Sequence, residues 1–330
     1  MQAPSAGSNV IQLGAASRLA HFPVSFFAVV MGLAGSTIAW QRAETVFHLP
    51  FVLSPALALL SVLVLIAITS VYLLKAVRHP GEIVKEFRHP VRRNFFPAIS
   101  IALLLLSIAL AADFAVAARW LALAGSALHL SLTLYVMSVW IHHTGVEISH
   151  VNPSWFIPVV GNILVPIAGA GFLPLDVAWF FFSIGLVFWL VLLTIVLYRL
   201  FFHAPLPERL TPTLFILVAP PAVGFVAYVV LSGSVDGFAR VLYSTALFFT
   251  LLLASNAMRF LKMRFFLSAW AYAFPLAAMT IASVVMVHRG GGTGHTWIAL
   301  GLLTVLTLVV VRLAARTVFA MTRGEVCVEE

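Results

Sequence analysis

Residues 267–287 read LSAWAYAFPLAAMTIASVVMV and carry no charged side chain. A run of 21 residues is long enough to cross a bilayer as a helix at about 1.5 Å per residue. Pro275 lies in the middle, where a proline removes a backbone hydrogen bond and kinks a helix, and Phe274 stands directly before it. Because an unsatisfied backbone is tolerated at membrane depth only beside protein or a water-filled cavity, we predict a helix inside a bundle. Phe274 is then either a packing residue or a large ring beside a pore.

The composition is that of a polytopic membrane protein. Of the 330 residues, 62% are hydrophobic and 9% are charged, with a mean hydropathy of +1.08. The single cysteine, Cys327, excludes a disulfide framework and a cysteine metal cluster, so no metal site is predicted. The chain has no phosphate-binding loop, dinucleotide fingerprint or HExxH motif, and we expect no enzyme activity and no cofactor. The net charge of +8 does not predict a nucleic-acid partner, because the charges lie between apolar spans.

Ten apolar spans follow one another along the chain. With the N-terminus inside, 15 of the 19 Lys and Arg residues fall on the inner side, which favours ten spans with both termini in the cytoplasm. We expect a cytoplasmic segment over 1–21, a transmembrane domain over 22–320 and a cytoplasmic tail over 321–330. The predicted spans are Phe22–Trp40, Pro50–Leu74, Phe95–Ala112, Ala118–Ile141, Trp155–Phe172, Val177–Leu197, Pro212–Leu231, Phe238–Ala257, Leu267–Val287 and Thr296–Ala320.

Proline and glycine alternate between the spans. The odd-numbered spans carry most of them, whereas the even-numbered spans are smoother runs of Leu, Val and Phe. Broken helices rich in small residues need protein neighbours, and straight apolar helices suit lipid. The pattern predicts an all-α fold of five hairpins around a central pore, with kinked odd helices inside and even helices outside. The candidates for kinks and pore lining are Gly32, Pro97, Pro158, Gly161, Pro166, Pro220, Pro221, Gly224 and Pro275.

Ionisable groups are scarce at membrane depth. Every acidic residue falls at a span end, in a loop or in the tail, and His129 is the one ionisable group in mid-span. His129 and Asn162 are possible polar modulators of a pore, although hydrogen bonding between helices is the simpler role. A path without fixed negative charge does not repel anions, and helix N-termini aimed inward would attract them weakly. The pattern therefore permits anion conduction without requiring it.

Several stretches resemble one known family over nearly the whole chain. The family is that of tellurite-resistance and dicarboxylate transporters, which includes the bacterial tellurite-resistance protein TehA and the plant guard-cell slow anion channels. The resemblance lies in Asn152–Gly169 (NPSWFIPVVGNILVPIAG), His89–Val91, Leu206–Leu210, Pro212–Gly224 and Trp270–Pro275.

The resemblance implies a ten-helix fold of five hairpins around a pore, usually assembled as a homotrimer with one pore per subunit. In this family a phenylalanine on the ninth helix plugs the pore, and the matching position is Phe274. One departure is Ala28, a candidate lining residue, where the bacterial relative has glycine. The chain lacks the long terminal domains of the plant channels, so we expect no kinase-controlled opening.

The leading hypothesis is a passive gated channel for small anions such as chloride and nitrate, in a bacterial inner (plasma) membrane, with membrane lipid around it. The alternative is a secondary transporter or efflux protein for oxyanions or organic acids such as tellurite, sulfite or a C4-dicarboxylate. A membrane enzyme with haem would need pairs of deep axial histidines on facing helices, and only His129 is deep.

Overall fold

A computed structural model describes residues 15–142, 145 and 147–327. The predicted terminal segments 1–21 and 321–330 are therefore covered only in part. Within the described residues the chain forms helices, turns and loops without a strand, which confirms the all-α prediction.

Ten apolar helices account for the ten predicted spans. In the described part of the chain, nine are long and apolar enough to cross a membrane, and a tenth is shorter. The shorter helix ends before the predicted Phe172, because the chain turns at Gly169, whose carbonyl accepts the N–H groups of Phe172 and Leu173. The helices are α1 Val24–Phe47, α2 Ser54–Arg78, α3 Arg92–Leu110, α4 Ala115–His142, α5 Pro153–Ala168, α6 Leu175–Phe202, α7 Glu208–Ser232, α8 Gly237–Ala254, α9 Leu267–His288 and α10 Thr293–Arg323.

Odd-numbered and even-numbered helices differ in burial. Over an apolar window of 18 residues, 67% to 78% of the residues are buried in α1, α3, α7 and α9, against 17% to 33% in the even-numbered helices. Nearly every residue of α5 is buried as well. An even helix therefore presents most of its apolar surface outward, where lipid can solvate it.

The contacts between helices follow the same order. Each odd helix packs against the even helix that follows it, and the odd helices contact one another in the closed order α1, α3, α5, α7, α9. Five hairpins with their odd members inward would have these neighbours. We call the end of the bundle where the odd helices begin the basic end, because the loops and helix ends there together carry most of the Lys and Arg residues.

Every odd helix begins with a 3-10 segment at the basic end and continues as an α-helix, which in α5 is interrupted by a second 3-10 segment at Gly161–Leu164. In α9 the 3-10 segment is Leu267–Tyr272 and the α-helical segment is Ala273–His288. Pro275 thus lies in the first turn of an α-helix instead of at the expected mid-helix break. The N–H groups in the first turn of an α-helix have no carbonyl partner within that helix. A proline, which has no N–H group, therefore costs no intrahelical hydrogen bond there.

Backbone hydrogen bonds continue across the junction in α3. In α3 the N–H of Ile99 donates to the carbonyl of Phe96 at 3.1 Å, and that of Ile101 donates to the carbonyl of Pro97 at 3.0 Å. The change of helix type thus keeps backbone hydrogen bonds on both sides of Pro97.

A buried ion pair anchors the start of α1. Glu86 lies on the short helix Pro80–Arg88 between α2 and α3, and its carboxylate accepts from Lys75 Nζ at 2.9 Å and from the backbone N–H of Val24 at 2.7 Å. Lys75 also donates to the carbonyl of Phe22 at 2.8 Å. The segment between α2 and α3 is therefore partly built into the bundle and is more than a solvated basic loop.

We predict that Lys75→Met lowers the free energy of unfolding by about 3–5 kcal/mol, because it leaves the Glu86 carboxylate buried without its cation. Lys85→Met is the matched control. Lys85 pairs with Glu82 at 2.7 Å, but its side chain is 75% exposed, so its loss should cost less than about 1 kcal/mol. Unfolding in detergent measures both variants, and equal costs would contradict the anchoring role of Glu86.

Candidate functional site

A cavity lies inside the ring of odd helices, toward the basic end. It has an empty volume of about 690 Å³, and all its lining residues are apolar or glycine. Every odd helix contributes to its wall, so the five odd helices form it together. We call it the basic-end cavity, and its lining residues are Ala28, Met31, Phe95, Ala98, Ile101, Phe156, Ile157, Val160, Gly161, Leu164, Ile216, Ala219, Pro220, Val223, Trp270, Ala271, Phe274 and Pro275.

A second cavity, the far-end cavity, continues along the same axis with an empty volume of about 330 Å³. On each odd helix its lining residues either are shared with the basic-end cavity or come later in the sequence than the residues that line that cavity. The two cavities therefore lie in line along the bundle. The lining residues of the far-end cavity are Ile38, Leu105, Ile108, Leu164, Ile167, Val223, Val226, Phe274, Ala278 and Ile281.

Three side chains line both cavities, namely Leu164 of α5, Val223 of α7 and Phe274 of α9. They form the partition between the two spaces. Phe274 has the largest side chain of the three and is only half-buried. The boundary between the two cavities is consequently lined by one aromatic ring and two branched aliphatic side chains.

The partition depends on a close approach of α1 and α9. A Cβ atom added to Gly35 would lie 3.1 Å from the Cβ of Ala277 and 3.3 Å from Cδ2 of Phe274. One turn closer to the basic end, a Cβ on Gly32 would lie 2.8 Å from that of Ala273. Small residues facing one another at this spacing let two membrane helices approach closely, and Gly35 leaves room for the ring of Phe274.

A buried polar cluster joins α3, α4 and α5 behind the wall of the basic-end cavity. His129 is fully buried, and its Nδ1 lies 2.8 Å from Oγ of Ser100. Because the Ser100 hydroxyl donates to the carbonyl of Pro97, we infer that Nδ1 of His129 carries the proton and donates to Ser100. Thr133 accepts from Asn162 Nδ2 at 3.0 Å and donates to the carbonyl of Pro158 at 2.6 Å.

A comparison with known protein families shows to which family a chain with these cavities belongs. Residues 21–318 match the family described as SLAC1, voltage-dependent anion channel. The chain belongs to this family. Members of the SLAC1 family are anion channels and transporters, which is not an enzyme class. Among the described residues, no group of three or more His, Cys, Asp or Glu side chains is placed to hold a metal ion.

The relatives include the proteins that the motifs resemble, so the resemblance is confirmed. S-type anion channel SLAH2 of Arabidopsis thaliana is 30% identical over 309 residues, which are 91% of this chain and 59% of the relative. An uncharacterized transporter of Methanocaldococcus jannaschii is 28% identical, with 83% of this chain and 86% of the relative covered. The tellurite resistance protein TehA homolog of Haemophilus influenzae is 25% identical, with 92% of each chain covered. The chain thus spans less than two thirds of the length of the plant channel.

The predicted site residues divide into two groups. Phe274, Pro275, Ala28, Gly161 and Pro220 line the basic-end cavity, and Phe274 also lines the far-end cavity. The others are buried in contacts between helices and line neither cavity; they are Gly32, Pro97, Pro158, Pro166, Pro221, Gly224, His129 and Asn162.

The prediction from sequence missed Leu164, Val223 and Trp270, all of which line the basic-end cavity. The sequence spacing of Leu164 and Val223 could have identified these two as lining residues. Leu164 is three residues after Gly161, and Val223 is three residues after Pro220, so each shares a helix face with a predicted lining residue. Attention to proline and glycine alone overlooked the aliphatic side chains that continue the same face.

We predict that Gly161→Ala destabilises the protein by about 1–3 kcal/mol through overpacking. A Cβ at this position would lie 2.5 Å from Nε2 of His129, and a rigid buried imidazole cannot move away. His129→Ala should also destabilise, because it empties a buried site beside Ser100.

The double variant Gly161→Ala with His129→Ala supplies the test, since the added methyl would occupy part of the space left by the imidazole. Thermal unfolding of all four proteins should show a favourable coupling of about 0.5–3 kcal/mol. Strict additivity would mean that His129 and Gly161 do not pack against each other.

Proposed function

We propose that the chain is a passive gated channel for small anions such as chloride and nitrate, with Phe274 obstructing the path. The observation that carries the proposal is the pair of cavities in line inside the odd helices, which meet at Phe274, Leu164 and Val223. Family membership and relatives named as anion channels support it. Movement of the Phe274 ring would join the two cavities into one passage.

The neutrality of the path suits permeation. No ionisable side chain lines either cavity in the described part of the chain, so nothing there repels an anion or holds it tightly. Conduction requires binding that is weak enough to release the ion. Selectivity would then follow from the cost of removing water from the anion, which is lower for large, weakly hydrated anions.

The charge distribution at the basic end supports entry of anions. Burial lowers the pKa of His89 below its usual range, and the positive charges of Arg92 and Arg209 lower it further, with His150 and Arg93 contributing. These residues come from the loops before α3 and α5 and from the starts of α3 and α7. A positive field at this end would raise the local concentration of anions and their rate of entry.

The alternative, a carrier coupled to protons, has less support. Such coupling usually needs an ionisable group on the transport path, and His129 lies behind the wall of the basic-end cavity instead of on it. Uptake of oxyanions or organic acids by purified protein without electrical current would favour that alternative. A haem-binding enzyme would show a Soret absorption band, and we expect none from the purified protein.

We further propose that the basic end faces the cytoplasm of a bacterial inner membrane, with both termini there, since Lys and Arg are enriched in cytoplasmic loops. A homotrimer with one pore in each subunit is part of the same proposal and rests on the family resemblance. Site-directed labelling of loops in intact cells tests the orientation.

We predict that Phe274→Ala increases anion current several-fold, because it removes the ring that separates the two cavities. Purified protein in planar bilayers should give a small wild-type current and a larger one in the variant. Both currents should reverse at the chloride equilibrium potential.

Phe248→Ala is the control for this measurement, because Phe248 lies on α8 with 60% of its side chain exposed on the outer surface of the bundle. It should conduct like the wild type. If Phe274→Ala conducts no better than Phe248→Ala, Phe274 is a packing residue. Silence of folded wild type and both variants would favour a carrier.

We also predict that Gly35→Ala reduces the current. Its Cβ would lie 3.3 Å from the Phe274 ring and would push the ring away from α1, toward Leu164 and Val223. The control is Gly224→Ala on α7, whose Cβ would meet only Leu242, at an ordinary 3.8 Å.

The effect of Gly35→Ala should disappear when it is combined with Phe274→Ala, since no ring is left to displace. Bilayer recordings of the single and double variants decide this point. A reduction that persists in the double variant would show that Gly35 acts through the packing of α1 and not through Phe274.

A further inference from the structure

An apolar groove opens on the outer surface of the bundle between α2 and α10. Its floor is formed by α1 and by Trp270 of α9, and its volume, which includes space open to the surroundings, is about 890 Å³. We call it the lateral groove. Its lining residues are Phe22, Phe26, Val29, Leu33, Leu60, Val64, Ala67, Ile68, Val71, Trp270, Ala314, Thr317, Val318 and Met321.

The dimensions of the lateral groove match one leaflet of a bilayer. Its lining runs from Phe22, two residues before α1 begins, to Leu33 of α1, and from Leu60 to Val71 of α2. Each stretch advances eleven residues, which is about 16 Å along a helix. The hydrocarbon core of a bilayer is about 30 Å thick, so the groove covers about half of it. Because α1 begins and α2 ends at the basic end, this is the half nearer that end.

Basic side chains lie where the lateral groove reaches the membrane surface. Arg78 follows Val71 by two helical turns on the same face of α2, and its side chain is exposed. The guanidinium of Arg18 packs beside Gly324, just beyond the end of α10. These two cations, at the polar end of an apolar groove of leaflet depth, fit an acyl chain with an anionic headgroup.

Trp270 connects the lateral groove with the interior, because it lines both this groove and the basic-end cavity. Its indole N–H donates to Oγ1 of Thr317 on α10 at 2.9 Å. A Cβ on Gly32 of α1 would lie 2.9 Å from its ring, so the ring is held between α1 and α10. A molecule in the groove would touch the outer face of the same wall that bounds the cavity, one turn before Phe274.

We propose that the lateral groove is a binding site for one acyl chain of an anionic phospholipid from the leaflet at the basic end. Arg18 and Arg78 bind its headgroup, and its chain packs on the exposed lining residues Leu60, Val318 and Met321, over the buried ring of Trp270. The binding itself is independent of what the protein conducts. Only one consequence rests on the proposed channel function: an occupied groove supports the wall beside Phe274, so anion flux depends on the lipid.

Native mass spectrometry of the full chain in detergent, with phosphatidylglycerol or phosphatidylcholine added, tests the binding. Ala314→Phe and Ala67→Phe fill the groove from opposite walls, and each should reduce the retained phosphatidylglycerol several-fold. Ala315→Phe is the matched control, because Ala315 is exposed on the same turn of α10 but does not line the groove. Retention that is equal in all three variants and the wild type overturns the proposal.

The headgroup is tested by Arg18→Gln combined with Arg78→Gln. This variant should lose the preference for phosphatidylglycerol over phosphatidylcholine while it still retains lipid. Arg240→Gln, at the opposite end of the bundle, should keep the preference. A preference that is unchanged in the double variant would overturn the assignment of Arg18 and Arg78.

The same spectra give the number of subunits. If Ala314→Phe and Ala67→Phe dissociate an oligomer and Ala315→Phe does not, the groove is covered by a second copy of the chain and the lipid proposal fails.

The dependence of anion flux on lipid is tested by chloride flux into liposomes. Omitting phosphatidylglycerol should lower the flux of the wild type but leave that of Ala314→Phe unchanged. If no protein shows flux, the proposed channel function fails while the retention measurement still decides the binding site.

Discussion

The close approach of α1 and α9 is the constraint on which the interior depends. Gly32 and Gly35 leave no room for side chains against Ala273, Ala277 and Trp270. Without this approach the ring of Phe274 would have no backing on the side of α1, and the two cavities would not end at the same partition. In a membrane no hydrophobic effect presses helices together, so close packing of small residues is a main source of helix association.

The interior is apolar over its whole described length, and the charges lie at its ends. This division follows from the high free energy of a charged side chain at membrane depth. Neither inner cavity has a charged side chain in its wall. The buried pair of Lys75 and Glu86 lies at the basic end, where it ties α2 and the helix before α3 to the start of α1. Polar groups deeper in the bundle, such as His129 and Thr133, have partners on neighbouring helices and join α3, α4 and α5.

Prediction from the sequence reached the fold more fully than the site. The ten spans and their alternation of burial were foreseen, because apolar length and the distribution of small residues report directly on contact with lipid or protein. Pro275 was expected to break α9, but the chain passes it by changing from a 3-10 helix to an α-helix ahead of it. Leu164 and Val223 were overlooked, because an aliphatic side chain has the same appearance in sequence whether it faces a cavity, a neighbouring helix or lipid.

The sequence by itself determined that the chain is an all-helical membrane protein, which of its helices are sheltered, and to which family it belongs. These properties depend on local composition and on motifs, each of which is contained in a short stretch of chain. The tertiary structure alone decided that Phe274, Leu164 and Val223 line both inner cavities, that Trp270 lines both the lateral groove and the basic-end cavity, and that His129 lies behind the wall of that cavity. Each of these facts joins residues from different helices, and their distances are set by how closely the helices pack, which no single span encodes.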